Sequence, residues 1–277
     1  LTFGGMVVSK KIKALLRNYS PKEHWHIDSK KAFDTYFCLE HHFKVSPNLF
    51  FKKFIPEIVP LKSDYSNIWL AVNTNRKHKH LEYINNIPFS DFKVFSSIVK
   101  YLPNNTQLQL SNSATIRYAQ LFEFDKSVDI FCNRGTSGID GCTSTAIGAA
   151  VVSKKETIFI TGDLSFLYDS NALWNDYIPS NFKIIVINNG GGGIFRILPG
   201  DKNTDNFNTF FETKHHLNAK HLCEMYHLDY YDAHNENDLE KELELFFNSS
   251  ENPKLLEVFT PSKINDQILL EYFKSIQ

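Results

Sequence analysis

Two short apolar runs decide what this chain can become. Residues 157–161 read Thr-Ile-Phe-Ile-Thr and residues 183–187 read Lys-Ile-Ile-Val-Ile, and each stops abruptly on polar or glycine residues. Runs that are apolar at nearly every position, not at alternate ones, belong to strands buried on both faces of a parallel sheet. Between them, residues 170–177 place Leu173, Trp174 and Tyr177 in a connection long enough for a crossover helix, so a β-α-β unit is predicted.

A crossover of that kind makes the two strands parallel, and their carboxyl ends then open on one edge of the sheet, where ligands of open α/β folds sit. Gly162-Asp163-Leu164-Ser165 follows the first run and Asn188-Asn189 the second, with Asp163 and Asn189 26 positions apart. A carboxylate, an amide oxygen and a backbone carbonyl from the loop beyond form a hard oxygen set suited to Mg2+ that keeps diphosphate oxygens and water as its other ligands. The loop Gly190-Gly191-Gly192-Gly193 lacks β-carbons, so its backbone can come close to a phosphate or adopt positive φ. Four glycines alone equally describe a flexible turn; their neighbours Asp163 and Asn189 give them meaning. No glycine-lysine-serine/threonine triplet follows a turn, and no Gly-x-Gly-x-x-Gly opens a helix after a strand, which sets aside P-loop and dinucleotide readings.

The Gly-Asp-x-Ser segment followed by Asn-Asn resembles the thiamin-diphosphate motif, with Leu164 where many members carry a second glycine. The neighbouring segments are more specific. Asn133-Arg134-Gly135-Thr136-Ser137-Gly138-Ile139-Asp140-Gly141, then Gly162 to Phe166, then Asn188-Asn189 leading to Gly192-Gly193-Ile194-Phe195 and Leu198-Pro199, resemble the menaquinone-pathway family of 2-succinyl-5-enolpyruvyl-6-hydroxy-3-cyclohexene-1-carboxylate synthases, MenD. The resemblance is dense from about residue 112 to residue 199 and thinner elsewhere.

The resemblance implies the cofactor thiamin diphosphate with Mg2+, or Mn2+ in its place. Asp163 and Asn189 would bind the metal through side chains and Gly191 through its carbonyl. Ser165, beside Leu164 and nearby amides, would hold the diphosphate. Ile139 would be the bulky residue that keeps the cofactor bent, Ser137 and Gly138 would line the same pocket, and Ile194 and Phe195 would form its apolar wall. The substrates implied, 2-oxoglutarate and isochorismate, both carry carboxylates, and Ser113, Arg117 and Arg134 would meet them, an arginine gripping a carboxylate with two hydrogen bonds. Lys10 and Lys11 match a basic pair that helps bind substrate, although arginine is usual at the second position. Read without the family, Ser113 is a helix cap, the arginines are surface or ion-paired residues, Ile139 and Phe195 are core, and the lysines are a solvated helix face.

The fold expected is α/β: a doubly wound, mostly parallel sheet over residues 91–277 that binds thiamin diphosphate, preceded at residues 1–88 by a truncated, Rossmann-like middle domain. Helices are expected at residues 92–101, from residue 112, and at 143–152, 217–226 and 238–247, with strands at 108–110, 228–231 and 255–259 and a final helix. The resemblance covers only the later part of such enzymes. The N-terminal pyrimidine-binding domain, which supplies the activating glutamate, is expected to be missing, so no catalytic residue is assigned and the chain alone is expected to be inactive. Full-length members imply a homodimer or homotetramer. Two other readings stay open: another thiamin-diphosphate-dependent 2-oxoacid decarboxylase or carboligase, and a noncatalytic cofactor-binding scaffold.

The remaining composition narrows the class further. A net charge of -1 over 277 residues gives no global attraction to nucleic acid or anionic membrane. No run of apolar residues is long enough for membrane insertion. Cys38, Cys132, Cys142 and Cys223 form no Cys-x-x-Cys pair, and His41-His42, His215-His216 and the Cys223/His227 pair complete no ligand set, which argues against zinc and against a disulfide framework. A cytoplasmic location is expected.

Overall fold

The computed structural model describes residues 1–7, 9–198, 200–202 and 204–277. It divides into two compact units, Leu1–Ile68 and Trp69–Gln277. The division falls ahead of the boundary expected near residues 88–91.

In the first unit, β1 (Thr2–Phe3), β2 (His24–Ile27) and β3 (Leu39–Phe43) form a parallel sheet in the order β1-β2-β3. Helix α1 (Lys10–Asn18) is capped by Ser9, whose side chain accepts from the Ile12 amide, and α2 (Pro47–Phe54) by Ser46, with proline at its first position. Phe50 of α2 packs its ring against Phe43 of β3 at 4.9 Å between centroids.

The long helix α3 (Tyr65–Asn86) crosses the division. Its later turns belong to the second unit, where Tyr83 donates its hydroxyl to the Ile268 carbonyl at 2.7 Å, His80 meets the Tyr272 hydroxyl at 2.9 Å, and Ile84 is buried. There follow α4 (Asp91–Tyr101), β4 (Gln107–Leu110), α5 (Ala114–Ala119), β5 (Asp129–Cys132), α6 (Cys142–Val152), β6 (Thr157–Gly162), α7 (Asp163–Tyr168), β7 (Phe182–Asn188), α8 (Lys220–Tyr226), β8 (Asp229–Ala233), α9 (Glu236–Phe246), β9 (Lys254–Phe259) and α10 (Asn265–Ser275). The strands form one parallel sheet in the order β5-β4-β6-β7-β9-β8.

Successive strand residues point to opposite faces, and both faces are covered. Ile158 and Ile160 of β6, Ile185 and Ile187 of β7 and Leu256 and Val258 of β9 pack with α4, α9 and α10 on one side. Phe159, Ile184, Val186 and Leu255 pack with α6, α7 and α8 on the other. That is the doubly wound sheet expected. Helix α6 lies on that second face with Cys142, Ala146, Ile147 and Ala150 buried, while Val151 and Val152 at its end are exposed.

Two local expectations need correction. The crossover between β6 and β7 does not place its helix at residues 170–177. Helix α7 starts at Asp163, directly on the strand end, and residues 170–174 make only a tight single turn that buries Leu173 and leaves Trp174 and Tyr177 exposed. Helix α5 begins at Ala114, not at residue 112, because Ser113 adopts φ 71°, outside the helical region. Strand β5, with Ile130 and Phe131 exposed on the sheet edge, was not anticipated.

Helix α9 illustrates how local chemistry sets a boundary: the Asn235 side chain accepts from the Asp238 amide at 3.0 Å. Asn235→Ala should lower stability by about 1 kcal/mol, seen as an earlier urea midpoint with unchanged slope. Among the described residues no helix is long and apolar enough to cross a membrane.

Candidate functional site

Register places the site. Gly162 of β6 pairs with Ile187 of β7, and Asn188 of β7 with Phe259 of β9, so the residues that follow these strands emerge side by side. The loops after β4 and β5 open on the same edge, and the chain's direction of winding reverses between β4 and β6, the switch point at which such sheets bind ligands.

Asp163 is the first residue of α7 and only 5% exposed. Its Oδ1 accepts from the Leu164 amide at 2.7 Å, and its Oδ2 accepts from the Gly191 amide at 2.9 Å and from His215 Nε2 at 3.1 Å. The Leu217 amide donates to His215 Nδ1 at 3.1 Å, which puts the ring proton on Nε2 and makes His215 the donor to Asp163. That hydrogen bond holds the His215 pKa above its ordinary value, against the opposing effect of burial. The sequence showed His215 only as half of a tandem pair without a ligand set.

The two asparagines divide the labour. Asn188 is fully buried, and its side chain is consumed by Glu257, the Leu217 carbonyl and the Gly190 amide. Asn189 donates its Nδ2 to Asp91 Oδ2 at 2.9 Å, while its Oδ1 accepts nothing among the described residues. Gly191 adopts φ 151°, and its carbonyl accepts from the Gly193 amide at 3.1 Å with a second lone pair left over.

The glycine run has a use that the sequence did not reveal. A β-carbon on Gly191 would sit 2.5 Å from the Glu212 carbonyl oxygen, and one on Gly192 would sit 2.9 Å from that of Phe211. The close backbone approach these glycines permit is therefore to the segment around Glu212. That segment is clipped down by the Gly192 amide on the Glu212 carbonyl at 2.6 Å and by the Arg196 to Glu212 ion pair at 2.5 Å.

Asp163, Asn189 Oδ1 and the Gly191 carbonyl offer three hard oxygens with a single negative charge. This set suits Mg2+ and leaves charge to be balanced by an anionic ligand. Among the described residues there is no cluster of three or more His, Cys, Asp or Glu that could hold a metal in another way.

On the other side, Asn112 organises the loop after β5. It is 1% exposed, donates Nδ2 to the Asn133 and Gly138 carbonyls, both at 2.6 Å, and accepts from Arg134 Nη1 at 2.9 Å. Ser137 carries φ 62° and Ser113 φ 71°, strained values for residues with a β-carbon. Ser165 donates its hydroxyl to the Ile139 carbonyl at 2.6 Å, tying the first turn of α7 to the loop that carries Ser137, Gly138 and Ile139.

Arg117 Nη1 donates to the Ser113 carbonyl at 2.6 Å, so these two meet through backbone and not as neighbours on one helix face. Burial and the nearby Arg134 charge lower the Arg117 pKa. Neither guanidinium forms an ion pair among the described residues, which leaves two adjacent cations free to take an anion. Ile194 and Phe195 sit in the tight turn 193–196, the Phe195 ring edge-on to Phe211 at 5.7 Å. Pro199 of the Leu198-Pro199 pair lies outside the described residues. Lys10 and Lys11 occupy the exposed first turn of α1 in the other unit, where the helix dipole disfavours cations by about 0.3–1 kcal/mol.

Sequence reasoning missed Asp91, Asn112 and His215 as functional neighbours. Their signals were local ones only: an acid in a first helical turn, a residue at a presumed helix start, and a histidine pair.

Comparison with known proteins agrees with this arrangement. Residues 113–258 match the family described as thiamine pyrophosphate enzyme, C-terminal TPP binding domain. Over the whole chain, the sequence is 58% identical to 2-succinyl-5-enolpyruvyl-6-hydroxy-3-cyclohexene-1-carboxylate synthase of Flavobacterium johnsoniae, of which it covers 50%. It is 58% identical to the synthase of that name from Flavobacterium psychrophilum, again over 50% of that protein, and 38% identical to the one from Porphyromonas gingivalis, also over 50%. The chain thus spans about half the length of the curated relatives it matches. A sheet wound on both faces, hard oxygens at two neighbouring strand ends and these similarities lead to one conclusion: the chain belongs to the thiamine pyrophosphate enzymes and carries their C-terminal cofactor-binding domain.

Proposed function

We propose that the protein carrying this chain is a 2-succinyl-5-enolpyruvyl-6-hydroxy-3-cyclohexene-1-carboxylate synthase. It decarboxylates 2-oxoglutarate and adds the remaining four-carbon acid to isochorismate in a 1,4-addition of menaquinone biosynthesis. One observation carries the reading: Asn189 Oδ1 accepts nothing among the described residues, at the strand end next to Asp163, whose carboxylate is held by the amide of Gly191.

Asp163, Asn189 and the Gly191 carbonyl would hold Mg2+, or Mn2+ in its place, and through it the diphosphate of the cofactor. Ser165 and the Leu164 amide would add hydrogen bonds to that diphosphate, and Ser137, Gly138, Ile139, Ile194 and Phe195 would line the pocket. When bound, thiamin diphosphate supplies the electron sink for loss of CO2 and for carbon-carbon bond formation. Arg117 and Arg134, with Ser113, would grip the substrate carboxylates, and two guanidiniums without carboxylate partners among the described residues support this assignment. Lys10 and Lys11 are assigned to substrate binding on the family resemblance alone. Orientation and exclusion of stray protons are then the protein's contribution.

On this reading residues 1–88 belong to the middle domain and residues 91–277 to the cofactor-binding domain, the activating glutamate comes from outside the chain, and the whole protein works in the cytoplasm as a homodimer or homotetramer. The test is product analysis with the full-length protein, Mg2+, thiamin diphosphate, 2-oxoglutarate and isochorismate. The 1,4-adduct with release of CO2 is expected. Aldehyde release or acetolactate-type products would replace this reading by another decarboxylase or carboligase, and cofactor binding without turnover would replace it by a scaffold.

A further inference from the structure

Asp91 lies outside the segment that matches the family, yet its side chain reaches the site. As the first residue of α4 it would ordinarily face water and lend its charge to the helix terminus. It does neither. Ser90 already caps α4 by accepting from the Lys93 amide, and the Asp91 backbone amide is used by Asn265 Oδ1 at 2.9 Å. The carboxylate is 3% exposed and forms no ion pair with a cation among the described residues. Its Oδ1 accepts from the Thr260 hydroxyl at 2.5 Å and its Oδ2 from Asn189 Nδ2 at 2.9 Å.

We propose that Asp91 is a positioning residue for the metal site: its carboxylate fixes the amide of Asn189 so that the oxygen, and not the NH2 group, is presented to the cation. An asparagine side chain has an oxygen face and a nitrogen face of almost equal shape, and only its partners decide which way it turns. Turning Asn189 over would set its Oδ1 against Asp91 Oδ2, two acceptors with no proton between them, and would offer donor hydrogens to a cation. A carboxylate enforces the choice more strongly than a neutral acceptor, because the bond to it is charge-assisted. Thr260, the first residue after β9, and Asn265, at the start of α10, hold Asp91 in turn, so the orientation of one ligand is secured from three elements. This inference rests on the reading of Asn189 as a metal ligand.

The test is a double-mutant cycle in the full-length protein, with Mn2+ affinity measured by electron paramagnetic resonance at saturating thiamin diphosphate. Asp91→Ala should weaken Mn2+ binding about 10–100-fold, the range for a group that orients a ligand. In an Asn189→Ala background the same change should have no further effect, since there is no amide left to orient. Asp91→Asn, which keeps one acceptor oxygen while the Thr260 hydroxyl turns to accept, should stay within about threefold of the parent protein. Unchanged affinity in Asp91→Ala, or an equal loss in both backgrounds, would overturn the proposal and leave Asp91 a purely structural residue.

Should the alanine variant not fold, the parent protein labelled with 15N at asparagine decides the matter. One Asn189 side-chain amide proton is expected to be shifted downfield and slow to exchange, and a freely exchanging amide would overturn the proposal. If the parent protein itself binds neither Mn2+ nor thiamin diphosphate, it is the assignment of the metal site that fails.

Discussion

Asp163→Ala is expected to weaken Mg2+-dependent binding of thiamin diphosphate by about two to four powers of ten. The estimate takes ~3–5 kcal/mol for removing one side of a buried charge pair and 1.4 kcal/mol per tenfold. Asp163 supplies the only formal negative charge in the candidate set, so neither Asn189 nor the Gly191 carbonyl can compensate for it. The substitution also strips an acceptor from the Leu164 and Gly191 amides and from His215, whose pKa should fall back toward its ordinary value once the bond to Asp163 is gone. Calorimetric titration of the full-length protein with cofactor at fixed Mg2+ reads the loss, and circular dichroism checks that the fold survives. Asp163→Asn keeps one acceptor oxygen but loses the other and the charge, and should lie between the two. Equal affinity in parent and alanine proteins would remove Asp163 from the metal site and with it the basis of the proposed function.

Such an experiment can be designed from the sequence because the strand ends are legible there. Buried parallel strands need apolar side chains on both faces, so residues 157–161 and 183–187 announce themselves as continuous runs, and a crossover connection forces their carboxyl ends together. Asp163 and Asn189 inherit their proximity from that topology, not from any local motif. The edge strand β5 escapes the same logic: with only one neighbour and with Ile130 and Phe131 exposed, it carries no buried pattern to find. Helix α7 escapes for a different reason. Its first turn is built from Asp163, Leu164 and Ser165, which read as a polar turn until the Asp163 carboxylate is seen accepting the Leu164 amide and the Ser165 hydroxyl is seen reaching the Ile139 carbonyl.

The groups that orient the site were not legible at all. Asp91 lies 98 positions from Asn189, and His215 lies 52 from Asp163. Each contact depends on how a helix start or a loop settles against the sheet edge, which no spacing rule specifies. The Asn-Asn pair shows the limit in another way: chemically identical neighbours serve opposite ends, Asn188 tied into the buried Glu257 network and Asn189 with an oxygen that accepts nothing among the described residues, because successive residues at a strand end point in opposite directions. The glycine run was legible as a place where backbone comes close, but the partner it admits is the chain itself at Phe211 and Glu212.

Asp91 also makes the stability of the metal-free protein depend on pH in a direction opposite to that of most carboxylates. Burial pushes its carboxyl up to about 6, partly offset by hydrogen bonds from Thr260 and Asn189 and reinforced by the nearby charge of Asp163. The unfolded chain has the ordinary value of 3.8. Below pH ~4 both states hold the proton, and the group contributes nothing to pH dependence. Between pH ~4 and ~6 the folded state still holds the proton that the unfolded state has released, so stability falls as pH rises. Above pH ~6 both states are ionised and the folded protein carries the full cost of the buried charge, about 3 kcal/mol at 1.36 kcal/mol for each unit of raised pKa. Asp91→Asn carries no such charge. The stability of that variant minus that of the parent, from urea unfolding without metal, should therefore grow by about 3 kcal/mol between pH 4 and pH 7, and titrations common to both proteins cancel in the difference. A difference that stays flat across this window would mean that Asp91 is ionised in the folded state at ordinary carboxylate pH. Water or a cation would then have to reach it, contrary to its burial. A growing difference would show that above pH ~6 the folded protein carries at this position a buried charge that weakens the metal-free fold.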